Sequence, residues 1–242
     1  MKHLGKPFTQ DQSGLFCLKS EDVKLKEFTF NEILSNHRKR RKFYYIDGVD
    51  DYVIKDTSKL PLLFNGTITK MILKNFQINQ DKFNDVDFPV AYFTDKEKIV
   101  GTVVPFYKDA KSIKELANIY SFEDLKRFYN HEDDEVKNLI EMCLDILELI
   151  KHMYDEDIVY RDISSGNFIV YNNTVKVIDF EPEYVHFTKY KKKYYDVLLS
   201  NYNILVNYIW RHYGFKNMLY NPGETFTDAS NKVKRLYNEK RR

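Results

Sequence analysis

Cysteine is scarce in this sequence: Cys17 and Cys143 are the only two among 242 residues, and they lie far apart. Two isolated thiols with no other soft ligands exclude a zinc set and argue against a disulfide framework. Cys143 falls inside an amphipathic helical pattern, where it is expected to act as a small buried apolar group. Eight glycines and six prolines are few for this length, which excludes a collagenous or low-complexity chain. A dominant charge of one sign is also missing. The 38 basic and 36 acidic residues leave a net +2, so no global field draws the chain to nucleic acid. No uncharged apolar run approaches the roughly 20 residues of a membrane span. The opening MKHLGKPFTQDQSG has no apolar signal region. The expectation is a cytoplasmic protein without a membrane segment, for which nucleic acid is not the primary partner.

What the chain does have is aromatic bulk. Its 19 tyrosines and 18 phenylalanines supply large packing groups, and 43% hydrophobic against 31% charged residues describes a globular chain. Residues 1–20 read as an irregular arm or edge. KLKEFTFNEIL (24–34) and KFYYIDGVDDYVIK (42–55) alternate as strands, with Asp47-Gly48 as a turn. Residues 60–76 are ambiguous: Ile68, Met71 and Ile72 fit a helical face, but Gly66 and the β-branched residues oppose it. DFPVAYFTDKEKIVGTVVPFY (87–107) predicts two strands around a charged turn. Short helices follow over 111–119 and 121–130, the second capped by Ser121 with Asp124 three residues on. The 3.6-residue period is strongest over 133–155, FIVYNNTVKVIDF (168–180) predicts a hairpin, and 195–210 is apolar on most faces. A capped basic helix or tail closes the chain at 227–242. Strands first and helices afterwards predict an α+β class rather than alternating βαβ units.

The chemistry concentrates in IVYRDISSGNFIVYNNTVKVIDFEPEY (158–184). Asp162, in a loop after the long helix, can accept a proton from an attacking hydroxyl. Asn167 offers a neutral oxygen to a hard cation, and Asp179, at the end of the hairpin, offers a carboxylate to the same cation. Mg²⁺ commonly uses one or two carboxylates, waters and substrate phosphates, so this set suits phosphoryl transfer, where catalysis is positioning and charge neutralisation.

YRDISSGN resembles the catalytic loop of the protein-kinase-like superfamily, and Asp179-Phe180-Glu181 resembles its metal-binding tripeptide, with Glu in place of Gly. DDYVIK is similar to the strand that carries the phosphate-binding lysine, here Lys55. IVGTVVPFYKDAKSIKEL is similar to the last strand, hinge and first helix of that family. YDVLLSNYNILVNYIW resembles its buried helix, whose leading Asp196 would accept hydrogen bonds from the catalytic-loop backbone. The resemblance runs from about residue 24 to 210. It implies a bilobal fold of the compact, divergent bacterial or viral kind, with a β-rich N-lobe over 1–104 and a truncated helical C-lobe over 105–242. The cofactors it implies are ATP and Mg²⁺, or Mn²⁺. Asp162 and Lys55 would be catalytic, and Asn167 and Asp179 would hold the metal. Val103, Pro105 and Phe106 would lie against adenine, and a protein Ser or Thr would be the acceptor.

The departures are specific. Tyr160 stands where His is usual, and Ser164 replaces the lysine after the catalytic aspartate. Ser-Gly-Asn is closer to the aminoglycoside and choline phosphotransferases, which keeps a small-molecule kinase as one alternative. No glutamate lies between Lys55 and residue 96, so an aspartate such as Asp81 would have to pair with the lysine, or the pair is missing; this keeps a pseudokinase as another. No glycine-rich loop exists. In its place the basic run Arg38–Lys42 is either a solvated face or a set of side chains, Arg38 and Arg40 among them, over the ATP phosphates. A second basic run, KYKKKYY (189–195), is either a surface loop or a docking site for an acidic partner.

Overall fold

The computed structural model describes residues 4–28, 42–57, 66–83, 86–118, 135–172, 174–180, 184–210 and 218–240. The fold is mixed α+β, and the chain divides into two compact units, Met1–Lys108 and Asp109–Arg242. The expected helix at 121–130 and the basic run Arg38–Arg41 lie outside the described residues.

The first unit is built on a seven-stranded sheet. In chain order its strands are β1 (Thr9–Gln10), β2 (Phe16–Lys19), β3 (Leu25–Phe28), β4 (Phe43–Ile46), β5 (Val49–Asp56), β6 (Ala91–Asp95) and β7 (Lys98–Pro105). Across the sheet they lie in the order β1-β2-β6-β7-β5-β4-β3, antiparallel except where β2 runs parallel to β6. The stretch read as an irregular arm therefore supplies two strands, because Phe16, Cys17 and Leu18 are buried by pairing with a strand far along the chain. Turn chemistry follows the sequence at Gly48 (φ 75°), whereas Lys96 and Glu97 adopt left-handed angles of 47° and 65° without glycine or asparagine.

Strand alternation gives the sheet two distinct faces. Ile54, Val103, Ala91, Phe93, Leu18, Phe16 and Ile46 form an apolar core on one. Lys55, opposite Thr102, faces the other way. Gly101 lies where a Cβ would come 2.5 Å from the Lys55 carbonyl oxygen. Gly101→Ala must push two backbones apart, with an expected cost of about 1–3 kcal/mol, read as a lower denaturant midpoint for the first unit.

The ambiguous stretch is a helix, α1 (Gly66–Asn79). Packing overrides its weak propensity: Ile72, Leu73 and Phe76 are buried, and Phe76 stacks on Phe88 at 4.7 Å. A carboxylate ties α1 to the sheet. Asp11 accepts hydrogen bonds from Lys70 Nζ of α1 (2.7 Å), Tyr92 Oη of β6 (2.8 Å), and the Ser13 amide and hydroxyl (2.8 and 2.6 Å). Burial pushes the Asp11 carboxyl up, but the bonds from Lys70, Ser13 and Tyr92 outweigh this and hold it well below the ordinary carboxylate range. A carboxyl depressed on folding contributes stability above its unfolded pKa, and that stability drains away as pH falls below about 4. Asp11→Asn is expected to cost about 1–3 kcal/mol at neutral pH and to flatten the acid limb of a denaturation series run from pH 7 downward.

The second unit opens with β8 (Lys111–Ser112) and α2 (Ile113–Asn118). Ser112 and Glu115 form a reciprocal cap at the start of α2, with Ser112 N to Glu115 Oε2 at 2.8 Å and Glu115 N to Ser112 Oγ at 3.1 Å. Then come α3 (Glu135–Asp155), β9 (Ile158–Tyr160), β10 (Phe168–Tyr171), β11 (Thr174–Val177), β12 (Val185–Phe187), α4 (Tyr195–Trp210) and α5 (Phe226–Lys240). β11, β10 and β8 form one small sheet, and β12 and β9 another. Met142, Cys143, Ile146, Leu147, Ile150 and Met153 present the buried face of α3 at the expected period. The Tyr202 hydroxyl of α4 donates to the Cys143 carbonyl at 2.8 Å. The Cys143 thiol is fully enclosed and pushed up to about 12 by burial, which leaves it inert as a nucleophile. Among the described residues no helix is long and apolar enough to cross a membrane.

Candidate functional site

The second unit assembles a loop held by several backbone hydrogen bonds. α3 ends in a turn in which Asp157 takes φ 62°, and the chain enters β9, whose three residues are all buried. β9 pairs with β12, Tyr160 opposite Val185, and the ladder continues as the Arg161 amide donates to the Tyr184 carbonyl at 2.8 Å. From the other side, Asn201 of α4 donates its Nδ2 to the Arg161 carbonyl at 3.0 Å. The base of the loop is thus fixed on both sides before the chain reaches Asp162.

Three bonds then set the loop itself. The Ser164 amide donates to the Asp162 carbonyl (2.9 Å), the Asn167 amide donates to the Ser164 carbonyl (3.1 Å), and Asn167 Nδ2 reaches back to the Asp162 carbonyl (3.0 Å). The Asp162 carbonyl therefore accepts twice. With its nitrogen turned to that carbonyl, the Asn167 amide directs its Oδ1 the opposite way, and the side chain is 8% exposed. The hairpin brings the third residue in. Phe168 pairs with Val177, and the Ile178 amide donates to the Asn167 carbonyl at 2.8 Å. The Tyr160 hydroxyl donates to the Ile178 carbonyl at 3.2 Å, and its ring packs on Phe180 at 5.0 Å between centroids. Asp179, held between Ile178 and Phe180, takes φ 65°, a backbone angle that costs a non-glycine residue on the order of 1 kcal/mol and persists only where its surroundings enforce it.

The loop carrying Asp162 and Asn167 is thereby tied through its backbone to Ile178, the residue before Asp179. The donor set is oxygen throughout, one amide and one carboxylate beside a second carboxylate, and it fits a hard cation that keeps waters and phosphate oxygens in its shell. Among the described residues no three His, Cys, Asp or Glu side chains gather to hold a metal by themselves.

The remaining predicted residues divide by strand face. Lys55 is 5% exposed on β5. Val103 pairs with Ile54 and lies in the apolar core, and Pro105 pairs with Tyr52 on the same side, so neither side chain shares the Lys55 face. Val103 and Pro105 therefore turn their side chains to the face of the sheet opposite that of Lys55. Phe106 packs edge-on to Tyr45 at 5.4 Å, and Tyr45 pairs with Val53, which does share that face. Thr102 and Val104, opposite Lys55 and Val53, are the β7 residues on the Lys55 face. Apolar residues on both faces of β7 give no sign in the sequence of which side is which. Arg38 and Arg40 lie outside the described residues. Asp81 sits in the exposed turn after α1.

Asp196 differs from expectation as well. It lies exposed at the start of α4 and accepts a hydrogen bond from the Tyr220 hydroxyl, while the α4 residue that reaches the loop backbone is Asn201. The step of five residues from one to the other turns the helix by about 1.4 turns, which sets the two on different faces of α4. Comparison with family models and with curated proteins finds no match for the chain.

Proposed function

We propose that this chain is an ATP- and Mg²⁺-dependent phosphotransferase with a bilobal, protein-kinase-like architecture, acting on a serine or threonine hydroxyl of another protein. The observation that supports the proposal is the Asp162–Asn167–Ile178 hydrogen-bond chain, which ties the loop carrying Asp162 and Asn167 to the residue before Asp179. Asp162 takes the hydroxyl proton as the acceptor oxygen bonds to the terminal phosphorus and the bond to the ADP oxygen breaks. Asn167 Oδ1 and the Asp179 carboxylate would hold Mg²⁺, which when bound neutralises charge on the phosphates. Lys55 is the proposed contact to the α- and β-phosphates, and Phe106 the proposed adenine contact. Arg38 and Arg40 remain proposed phosphate contacts.

The test is transfer from radiolabelled ATP, with Mg²⁺ or Mn²⁺, to a generic protein and to a panel of small alcohols. Labelled protein on serine or threonine is the expected result. Label on an aminoglycoside or choline instead would assign the loop to the small-molecule branch that Ser164 and Gly166 resemble. Nucleotide binding with no transfer to any acceptor would make the chain a pseudokinase.

A further inference from the structure

The second basic run folds into a short helical turn, Lys191–Tyr194, leading into α4. Its first task is structural. Lys191 Nζ donates to the carbonyls of Tyr154 (2.7 Å) and Asp155 (2.9 Å) at the end of α3 and pairs with Asp157 at 3.0 Å. That anchor fixes the turn and leaves Lys189, Lys192 and Lys193 exposed. Carboxylates nearby are already engaged: Asp157 with Lys191, Asp155 with Lys151 at 3.2 Å, and Asp196 with the Tyr220 hydroxyl. Among the described residues no carboxylate pairs with Lys189, Lys192 or Lys193.

Tyr194 then gathers more positive groups. Its ring stacks on His186 at 4.9 Å and 6° between planes, with the Arg161 guanidinium 5.8 Å and the Lys193 ammonium 4.8 Å from its centroid. Burial, then Arg161 and Lys193, hold the His186 imidazole below its ordinary pKa, in keeping with a cation-rich surrounding. Arg161 precedes Asp162 directly, so this cluster adjoins the proposed proton acceptor within the same unit.

We infer that Lys189, Lys192, Lys193 and Arg161 form a recognition surface for an acidic segment flanking the acceptor hydroxyl, which makes the preferred substrate an acidic protein. The inference rests on the phosphotransferase reading. A pinned turn presents its charges without the ordering cost that a mobile loop would incur. A peptide fits better than nucleic acid, because the patch is confined to one turn of a chain whose net charge is only +2.

Fluorescence anisotropy of the full chain decides it, using a serine peptide flanked by glutamates, the same peptide with glutamines, and a single-stranded oligonucleotide of equal charge. The glutamate peptide is expected to bind about tenfold tighter than its glutamine counterpart at low ionic strength, and the preference should fade with salt. The double variant Lys192→Glu, Lys193→Glu, checked for an unchanged melting temperature, should erase the preference, and Asp162→Asn should retain it. Equal affinity for the two peptides, or tighter binding of the oligonucleotide, overturns the inference. Transfer to the glutamine peptide is measured alongside. Transfer without a charge preference sinks this inference alone, whereas a charge preference without transfer to any acceptor sinks the phosphotransferase reading and leaves an acidic-partner surface.

Discussion

Asparagine in place of Asp162 is expected to lower phosphoryl transfer by about 10²–10⁴-fold, the range a positioned general base contributes. The substitution isolates one property. The loop is held through the Asp162 backbone carbonyl, which accepts from the Ser164 amide and from Asn167 Nδ2, and neither bond involves the carboxylate. An isosteric amide therefore keeps those two bonds while it removes the carboxylate's charge and its capacity to accept a proton. Nucleotide affinity and melting temperature should stay within experimental scatter of the wild type while turnover collapses. Undiminished transfer by Asp162→Asn would show that the carboxylate is no base, and the mechanism proposed here would fail with it. Asn167→Ala makes a useful contrast, since it removes the proposed cation ligand together with the bond that shapes the loop, and should reduce both turnover and stability.

The largest stability loss is expected from Phe168→Ala, about 3–5 kcal/mol. Phe168 is fully buried at the first position of β10, edge-on to Tyr160 with centroids 6.5 Å apart. Its removal leaves a cavity next to Asn167 and Ile178, since Phe168 and Val177 are the pair at the open end of the hairpin. Total stabilities of domains are only about 5–15 kcal/mol, so the variant should unfold at a much lower denaturant concentration, and any folded fraction should lose order around Asp179 first. Hydrogen exchange at the Ile178 amide, bonded to the Asn167 carbonyl in the wild type, reports this directly. A midpoint shifted by less than about 1 kcal/mol would mean that the surrounding groups collapse onto the site and that Phe168 is not the wedge described.

Much of the second unit was legible because its signals are short-range. The apolar period of 133–155 predicted α3, found at Glu135–Asp155, and the apolar stretch 195–210 corresponds to α4 over the same residues. The hairpin was readable from its β-branched runs and from Asn172, which takes the left-handed angle (φ 49°) that such a turn needs. The link between Asn167 and Ile178 is likewise local, because a tight hairpin brings its two open ends together.

The first unit hid more. β2 is four residues long and draws its stability from parallel pairing with β6, some seventy positions along the sequence; nothing within Phe16–Lys19 reports that partner. α1 carries poor helix formers, and the burial of Ile72, Leu73 and Phe76 outweighs them. In β7, apolar residues occupy both faces, so pairing with β5 decided that Val103 and Pro105 turn toward the core side and Thr102 and Val104 toward the Lys55 side.

By itself, the amino-acid sequence determined the α+β class, the main helices of the second unit and the hairpin that follows the loop carrying Asp162 and Asn167. Periodicity, turn preference and loop length act over a few residues, and that is sufficient for those features. Tertiary structure decided which strand lies beside which, which face of β7 looks toward Lys55, and that Asn201 rather than Asp196 supports the loop. Those outcomes depend on register and packing between segments distant in the chain, where the free energy comes from burying one surface against another and is invisible in either segment alone.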